Sequence, residues 1–314
     1  MKKLWLVIPC YNEEEVLPET SKRLYQLMSD MIVNKKISPE SRIAFVNDGS
    51  KDKTWELIKK YHENIDMFVG INLSRNRGHQ NALLAGLEVA KEYADMIITL
   101  DADLQDDINV IPQFVDKYYE GNDIVYGVRS SRETDTGFKR NTAVGFYKVM
   151  KFLGVEIVHN HADYRLMSKR AVEGLMKYKE VNVFLRGIIP QIGYPSAVVE
   201  YERGERFSGE SKYPLKKMLS FAADGITSFS VKPLRISLVM GVMAFLVSIL
   251  FLIYCVVQFC LGNTVSGWAS LGVSVWALGG MQLLMIGIIG EYIGKIYLET
   301  KDRPRFIIQD VLYK

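Results

Sequence analysis

The stretch IITLDADLQDD, Ile97 to Asp107, is an apolar run that ends in four carboxylates within seven residues. Its first half is rich in β-branched residues and short, as a buried strand is. The acidic half reads as the loop that follows the strand. Like charges crowd at such a point when there is something cationic to hold. Working outward, the same grammar repeats along the first 200 residues. LWLVIPC, RIAFVND, MFVGINLS and DIVYGVR are equally brief and also end in polar loops. Between them, Glu14 to Ile32, Asp52 to Glu63, His79 to Tyr93 and Val110 to Glu120 show helical spacing of apolar residues. Strands alternating with helices predict an α/β domain with a mostly parallel sheet covered on both faces. Ligands of such sheets bind beyond the carboxyl ends of the strands. Tyr11 to Glu14, Asp48 to Ser50 and Asp101 to Asp107 all fall at such ends.

Charge is close to balance, 39 Lys+Arg against 36 Asp+Glu, so no basic field points to nucleic acid. The distribution is uneven. From Ile236 to Gly290 there is no Asp, Glu, Lys, Arg or His. That segment divides at GNTVSG (Gly262 to Gly267) into apolar runs 236–261 and 268–290, each long enough for a bilayer-spanning helix of ~20 residues. Basic residues lie on both sides of the pair and none in its short loop, which predicts both chain ends in the cytoplasm. The amino terminus runs straight into Glu13, Glu14 and Glu15 and does not read as a signal peptide. Cys10, Cys255 and Cys260 form neither a disulfide framework nor a metal spacing. Residues 214–231 carry an apolar helical face, which suits either an interfacial helix before the first span or an ordinary packed helix. The expected organisation is a cytoplasmic domain over 1–213, a juxtamembrane helix over 214–233, a two-helix transmembrane hairpin over 234–293 and a cytoplasmic tail over 294–314. Small-residue runs such as GVSVWALGG permit close helix packing and hence association of copies.

Asp101 and Asp103, one residue apart at a strand end, point to the same side and can share a hard divalent cation such as Mg²⁺ or Mn²⁺. A calcium loop does not fit, because its required Gly and Glu would fall on Asp106 and Pro112. Taken alone, the D-x-D is equally compatible with a solvated acidic loop. Taken together with VIPCYNEEE, VNDGSKDKT and LSRNRGHQNALLAGL in this order, the chain closely resembles family 2 glycosyltransferases with the GT-A (Rossmann-like) fold. RFSGESKY (206–213) and the closing GEYIGKIYLETKDRPRFII further resemble the polyprenyl-phosphate glycosyltransferases with a membrane hairpin, such as bactoprenol glucosyltransferases.

That resemblance implies roles for particular residues. Pro9, Tyr11, Glu13 and Asp48 would line the base and ribose of a nucleotide sugar, and Asp101 would also touch the nucleotide. Asp103 and Gln105 would coordinate Mg²⁺ or Mn²⁺ on the diphosphate. Arg129 and Arg140, with Arg132 in the same basic cluster, would hold a lipid phosphate, and Arg206, Ser211 and Lys212 would close over the phosphates. The alternative for the basic cluster is a solvated loop that steers the domain to anionic lipid. Asp163, in HNHADYRLMSKR, is the candidate catalytic base; it could instead position Arg165 by an ion pair. His159 and His161 lack further ligands for zinc and read as polar loop residues, and His79 starts a helix without assigned chemistry. The implied activity is inverting transfer of one sugar, UDP-glucose first among donors, to undecaprenyl phosphate at the cytoplasmic membrane face. Aminoarabinose, N-acetylglucosamine and mannose are alternative sugars. A processive synthase is disfavoured because no Arg-Trp dipeptide occurs. A non-catalytic scaffold or flippase component fits poorly with a hairpin free of ionisable residues. Relatives carry an aromatic residue near Gln191, which this chain lacks.

Overall fold

The computed structural model describes residues 1–130, 161–181, 184–202, 231–262 and 267–313. Arg132, Arg140, Arg206, Ser211 and Lys212, and residues 214–230 of the juxtamembrane helix expected over 214–233, lie outside these residues. The described residues belong to two units: a sheet with its helices, joined by residues 303–313, and a pair of long apolar helices.

Among the described residues eight strands form one mixed sheet, in the order β7-β5-β6-β4-β1-β2-β3-β8. Its central strand β1 (Leu4–Cys10) is flanked in parallel by β2 (Arg42–Asn47) and β4 (Met96–Thr99), and β3 (Phe68–Leu73) extends the parallel half. Every residue of β1 is buried, because helices cover both faces. Leu4, Leu6, Ile8 and Cys10 join one cluster with Leu17, Leu24 and Met28 of α1 (Leu17–Val33) and with Ile111 and Phe114 of α4 (Ile111–Tyr119). The opposite face of β1 meets α3 (His79–Tyr93), where a Cβ on Gly86 would overlap Val7 and come within 2.8 Å of Val46 Cγ2. A helix with Gly here lies directly on the sheet. α2 (Thr54–Asn64) links β2 to β3.

Pro9 stands in this central strand, where proline ordinarily breaks a ladder. The Val7 carbonyl faces β4 and accepts from the Leu100 amide at 3.2 Å, so Pro9, two residues on, faces the same side. β4 has ended at Thr99, opposite Val7, so no partner calls on the missing N–H.

The far half of the sheet departs from the parallel pattern. β6 (His161–Ser168) inserts antiparallel between β4 and β5 (Ile124–Arg129), and β7 (Ser196–Tyr201) pairs in parallel with β5. The C-terminal tail contributes β8 (Ile308–Leu312), antiparallel to β3. Asn47, Asn72 and Asp310 join in a side-chain row across β2, β3 and β8. α5 (Lys169–Met176) follows β6, with Ser168 capping it through the Ala171 amide. α6 (Leu185–Gln191) precedes β7.

The second unit contains α7 (Lys232–Cys260) and α8 (Trp268–Thr300). Both are long and apolar enough to cross a membrane. α8 continues beyond the apolar run that ends at Gly290, through Glu291 to Thr300.

Candidate active site

Parallel strands end together, so the loops after β1, β2 and β4 gather on one edge. The first two are laced by backbone amides. Asn12 donates to Ser50 Oγ (3.0 Å), Glu13 to Thr54 Oγ1 (2.9 Å), and Lys51 donates back to Asn12 Oδ1 (2.8 Å). Asn12 takes φ 55°, which asparagine tolerates better than most residues. Tyr11 stands exposed at this edge, whereas Pro9 is buried within β1.

Asp48, expected to face a nucleotide, has each of its oxygens engaged by the loop that leads into α3. Oδ1 accepts from the Arg77 amide at 2.7 Å and Oδ2 from the Gly78 amide at 2.9 Å. Burial raises its pKa, against the lowering effect of those two amides. Gly49 at φ 64° lets the same loop approach; a Cβ there would lie 2.5 Å from the Asn76 amide nitrogen. Asp48 and Gly49 therefore set where α3 begins, and with it His79.

The D-A-D loop is anchored from below. Thr20 of α1 donates to the Ala102 carbonyl at 2.7 Å, and Ala102 is buried between the two acidic side chains. Leu104 turns at φ 56°, and the Gln105 amide donates to Asp103 Oδ1 at 3.2 Å. Asp101 retains 39% side-chain exposure. Its pKa is pushed up to about 6, chiefly by desolvation and further by Asp163, Asp106 and Asp103, with His79 opposing.

Two elements that the sequence does not place near one another complete this cluster. Because β6 runs antiparallel, its first residues lie beside the last residues of β4, and Thr99 Oγ1 donates to the Asp163 carbonyl at 2.7 Å. The Asp163 carboxylate pairs with Arg165, which is only 1% exposed, and with Arg186 of α6 through contacts of 3.4 and 3.3 Å. His79 Nε2 lies 3.4 Å from Asp101 and 3.8 Å from Asp163. Burial pushes the Asp163 pKa upward, but Arg186, Arg165 and His79 together outweigh it and hold the group below the usual carboxylate range. Asp163 and Arg165 are thus ion-paired, and a carboxylate whose pKa is held this low is a weak base. Arg186 carried no signal in the sequence beyond its residue type, and His79 was marked only as a helix start within LSRNRGHQNALLAGL. Gln80 Oε1 accepts the Leu185 amide at 3.2 Å and ties the two helix starts together.

Arg129, at the end of β5, also has protein partners. Its Nη2 lies 3.3 Å from Asp106 and its Nε 3.4 Å from the Tyr201 hydroxyl. Tyr201 donates to the same Asp106 oxygen at 2.6 Å.

Among the described residues no three His, Cys, Asp or Glu side chains converge as a ready-made metal site. Asp101, Asp103 and Gln105 nonetheless supply only oxygen donors on a partly open loop. That set fits Mg²⁺ or Mn²⁺, which bind through one or two carboxylates and complete their shell with substrate phosphates and water.

Comparison with known sequences agrees with this architecture. The family described as "Glycosyl transferase family 2" matches residues 5–176, and "GtrB C-terminal hairpin" matches residues 232–296. An uncharacterized glycosyltransferase, YkoT, of Bacillus subtilis is 55% identical over 99% of this chain and 92% of its own length. The bactoprenol glucosyl transferase of Shigella phage SfV is 40% identical over 98% of each chain. A prophage bactoprenol glucosyl transferase homolog of Escherichia coli is 40% identical over 98% of this chain and 99% of its own.

Proposed function

The chain belongs to glycosyl transferase family 2, and from that membership we propose that it transfers a single sugar from a nucleotide diphosphate sugar to a polyprenyl phosphate. UDP-glucose is the first-choice donor and undecaprenyl phosphate the acceptor, by likeness to the bactoprenol glucosyl transferases. In this reading an acceptor phosphate oxygen attacks the anomeric carbon. The bond from that carbon to the diphosphate breaks, the nucleoside diphosphate leaves, and the single displacement inverts configuration.

The observation that supports this acceptor class best is the state of Asp163. A hydroxyl acceptor needs a base, and the pairing with Arg165 and Arg186 lowers the Asp163 pKa and makes its carboxylate a weak one. A phosphate monoester, with a second pKa near ~6, is already largely a dianion at neutral pH and needs orientation rather than deprotonation. We assign Asp163 that orienting role, exerted through Arg186. Asp103 and Gln105 would hold the Mg²⁺ or Mn²⁺, with Asp101 beside them at the nucleotide. A divalent ion there neutralises the charge that develops on the departing diphosphate. Tyr11 and Glu13 would border the nucleotide, and Pro9 shapes β1 beneath them. Asp48 would act partly through the loop that it grips. Arg129, together with Arg132, Arg140, Arg206, Ser211 and Lys212, would receive the acceptor and diphosphate phosphates. The α7–α8 hairpin would span the bilayer with both chain ends cytoplasmic, in keeping with the basic residues that flank it.

The test uses detergent-purified protein with Mg²⁺ or Mn²⁺, undecaprenyl phosphate and a panel of nucleotide sugars, reading nucleoside diphosphate release. The expected result is release that requires the lipid and falls about a hundredfold or more in Asp103→Ala, the scale of losing one charge-stabilising group. The active donor names the sugar. Folded protein that releases no nucleotide in response to lipid, whatever the donor, would overturn the proposal.

A further inference from the structure

Asp106 belongs to the acidic loop but does not share its open edge. It is buried, and its Oδ1 collects two donors, the Tyr201 hydroxyl at 2.6 Å and Arg129 Nη2 at 3.3 Å. Arg129 and Tyr201 are register partners on β5 and β7, and the Ser130 amide and hydroxyl both donate to the Tyr201 carbonyl. The ring of Tyr201 reaches Asp106 because Gly127 leaves room for it; a Cβ at Gly127 would lie 3.1 Å from that ring and 2.9 Å from the Tyr164 carbonyl oxygen. Tyr164 packs edge-on against Tyr201, and its hydroxyl donates to the Asp107 carbonyl at 3.0 Å. The loop carrying Asp103 and Gln105 is thus stapled to β5, β6 and β7 by one buried carboxylate and one backbone carbonyl.

Two facts separate this network from ordinary core satisfaction. Its arginine is not interior: Arg129 is at the strand end and keeps 29% side-chain exposure. The two hydrogen bonds also use only two of the guanidinium's five N–H donors, leaving the fork able to serve a second anion. Burial and the adjacent Asp106 carboxylate raise the pKa of the Tyr201 hydroxyl, which keeps it a donor.

We propose that Asp106 and Tyr201 are positioning residues: they hold Arg129 for the acceptor phosphate and lock it in register with the loop that carries Asp103 and Gln105. The inference rests on the transferase reading above and adds residues that act through Arg129 rather than on substrate. The loop keeps its second tether, the Tyr164 hydroxyl on the Asp107 carbonyl, so loss of Asp106 falls on the acceptor side.

The test takes the full chain in detergent with the active donor and undecaprenyl phosphate, and measures KM separately for each substrate. Asp106→Asn is expected to raise acceptor KM about tenfold, the scale of losing a charged hydrogen bond, with donor KM changed less than about twofold. Tyr201→Phe is expected to raise acceptor KM about threefold. Arg129→Ala combined with Asp106→Asn should be no worse than Arg129→Ala alone, because the two act as one unit. Additive losses in that double variant would overturn the inference. So would a fall in kcat that tracks the folded fraction with both KM values unchanged. If Asp106→Asn does not fold, Tyr201→Phe carries the same comparison. Wild-type protein without lipid-dependent release would remove the transferase reading and this inference together. Wild-type activity with unshifted acceptor KM in the variants would overturn the inference alone.

Discussion

β1 is apolar from end to end and α7 carries no charge beyond Arg235, and the two meet opposite surroundings. Leu6 of β1 is 0% exposed, whereas Leu250 of α7 is 67% exposed. β1 has helices on both faces, so its side chains are buried against protein. α7 and α8 display leucine, valine and phenylalanine all round, far more than a soluble surface carries in one patch. The same residue types therefore make a core in one unit and a solvent-facing surface in the other. Apolar composition signals burial in something, and the surroundings decide whether that is protein or, as we propose for the hairpin, lipid.

The contrast should be sharpest where a charge is buried. Asp163→Ala leaves Arg165 in the interior without this carboxylate and is expected to destabilise the sheet unit by about 3–5 kcal/mol. Urea unfolding followed by tryptophan fluorescence would measure it, and a loss under about 1 kcal/mol would mean that Arg165 finds another partner. Next comes packing. Leu6→Ala should cost the sheet unit about 2–5 kcal/mol in the same assay, while Leu250→Ala should leave that transition within about 0.5 kcal/mol. Equal effects would break the comparison outright.

Two helical glycines give a finer version. Gly86 of α3 lies on Val7 and Val46, so Gly86→Ala is expected to cost about 1–3 kcal/mol through overpacking. Nothing lies within 4 Å of a Cβ at Gly287 of α8, so Gly287→Ala should be neutral or raise helix stability by up to about 1 kcal/mol. The thermal midpoints of the two variants should therefore move in different directions or by clearly different amounts.

The smallest effect concerns acid. Arg170, with Ser168 assisting, holds the Asp123 carboxyl below its ordinary range against the raising effect of burial. A depressed carboxylate contributes stability above its unfolded pKa of about 3.9, and that stability is lost as pH falls through the lower folded value. Asp123→Asn should therefore flatten the acid limb of the stability profile below about pH 4 and leave the curve's shape near neutrality unchanged. With Arg170 largely exposed, the effect should stay under about 1 kcal/mol. The apolar run from Ile236 to Gly290 holds no ionisable Asp, Glu, Lys, Arg or His and adds nothing to that limb.

Much of this is legible in the sequence. Short β-branched runs ending in polar loops mark β1 to β5, because strands buried on both faces need continuous apolar sequence and their loops must satisfy free backbone groups. The 55-residue gap in charge marks the hairpin for an equally local reason. What the sequence determined by itself is whatever depends on neighbours along the chain: strand, helix, apolar span and the clustering of Asp101 with Asp103. The tertiary structure decided what depends on neighbours across the sheet. β6 entering antiparallel brings Asp163 and Arg165 beside Asp101, and α6 adds Arg186 to them. β7 sets Tyr201 opposite Arg129, β8 returns from the C-terminal tail, and the loop before α3 takes both oxygens of Asp48. Strand order and ion pairing are settled by which burial satisfies the most groups at once, a property of the folded whole that no local spacing records.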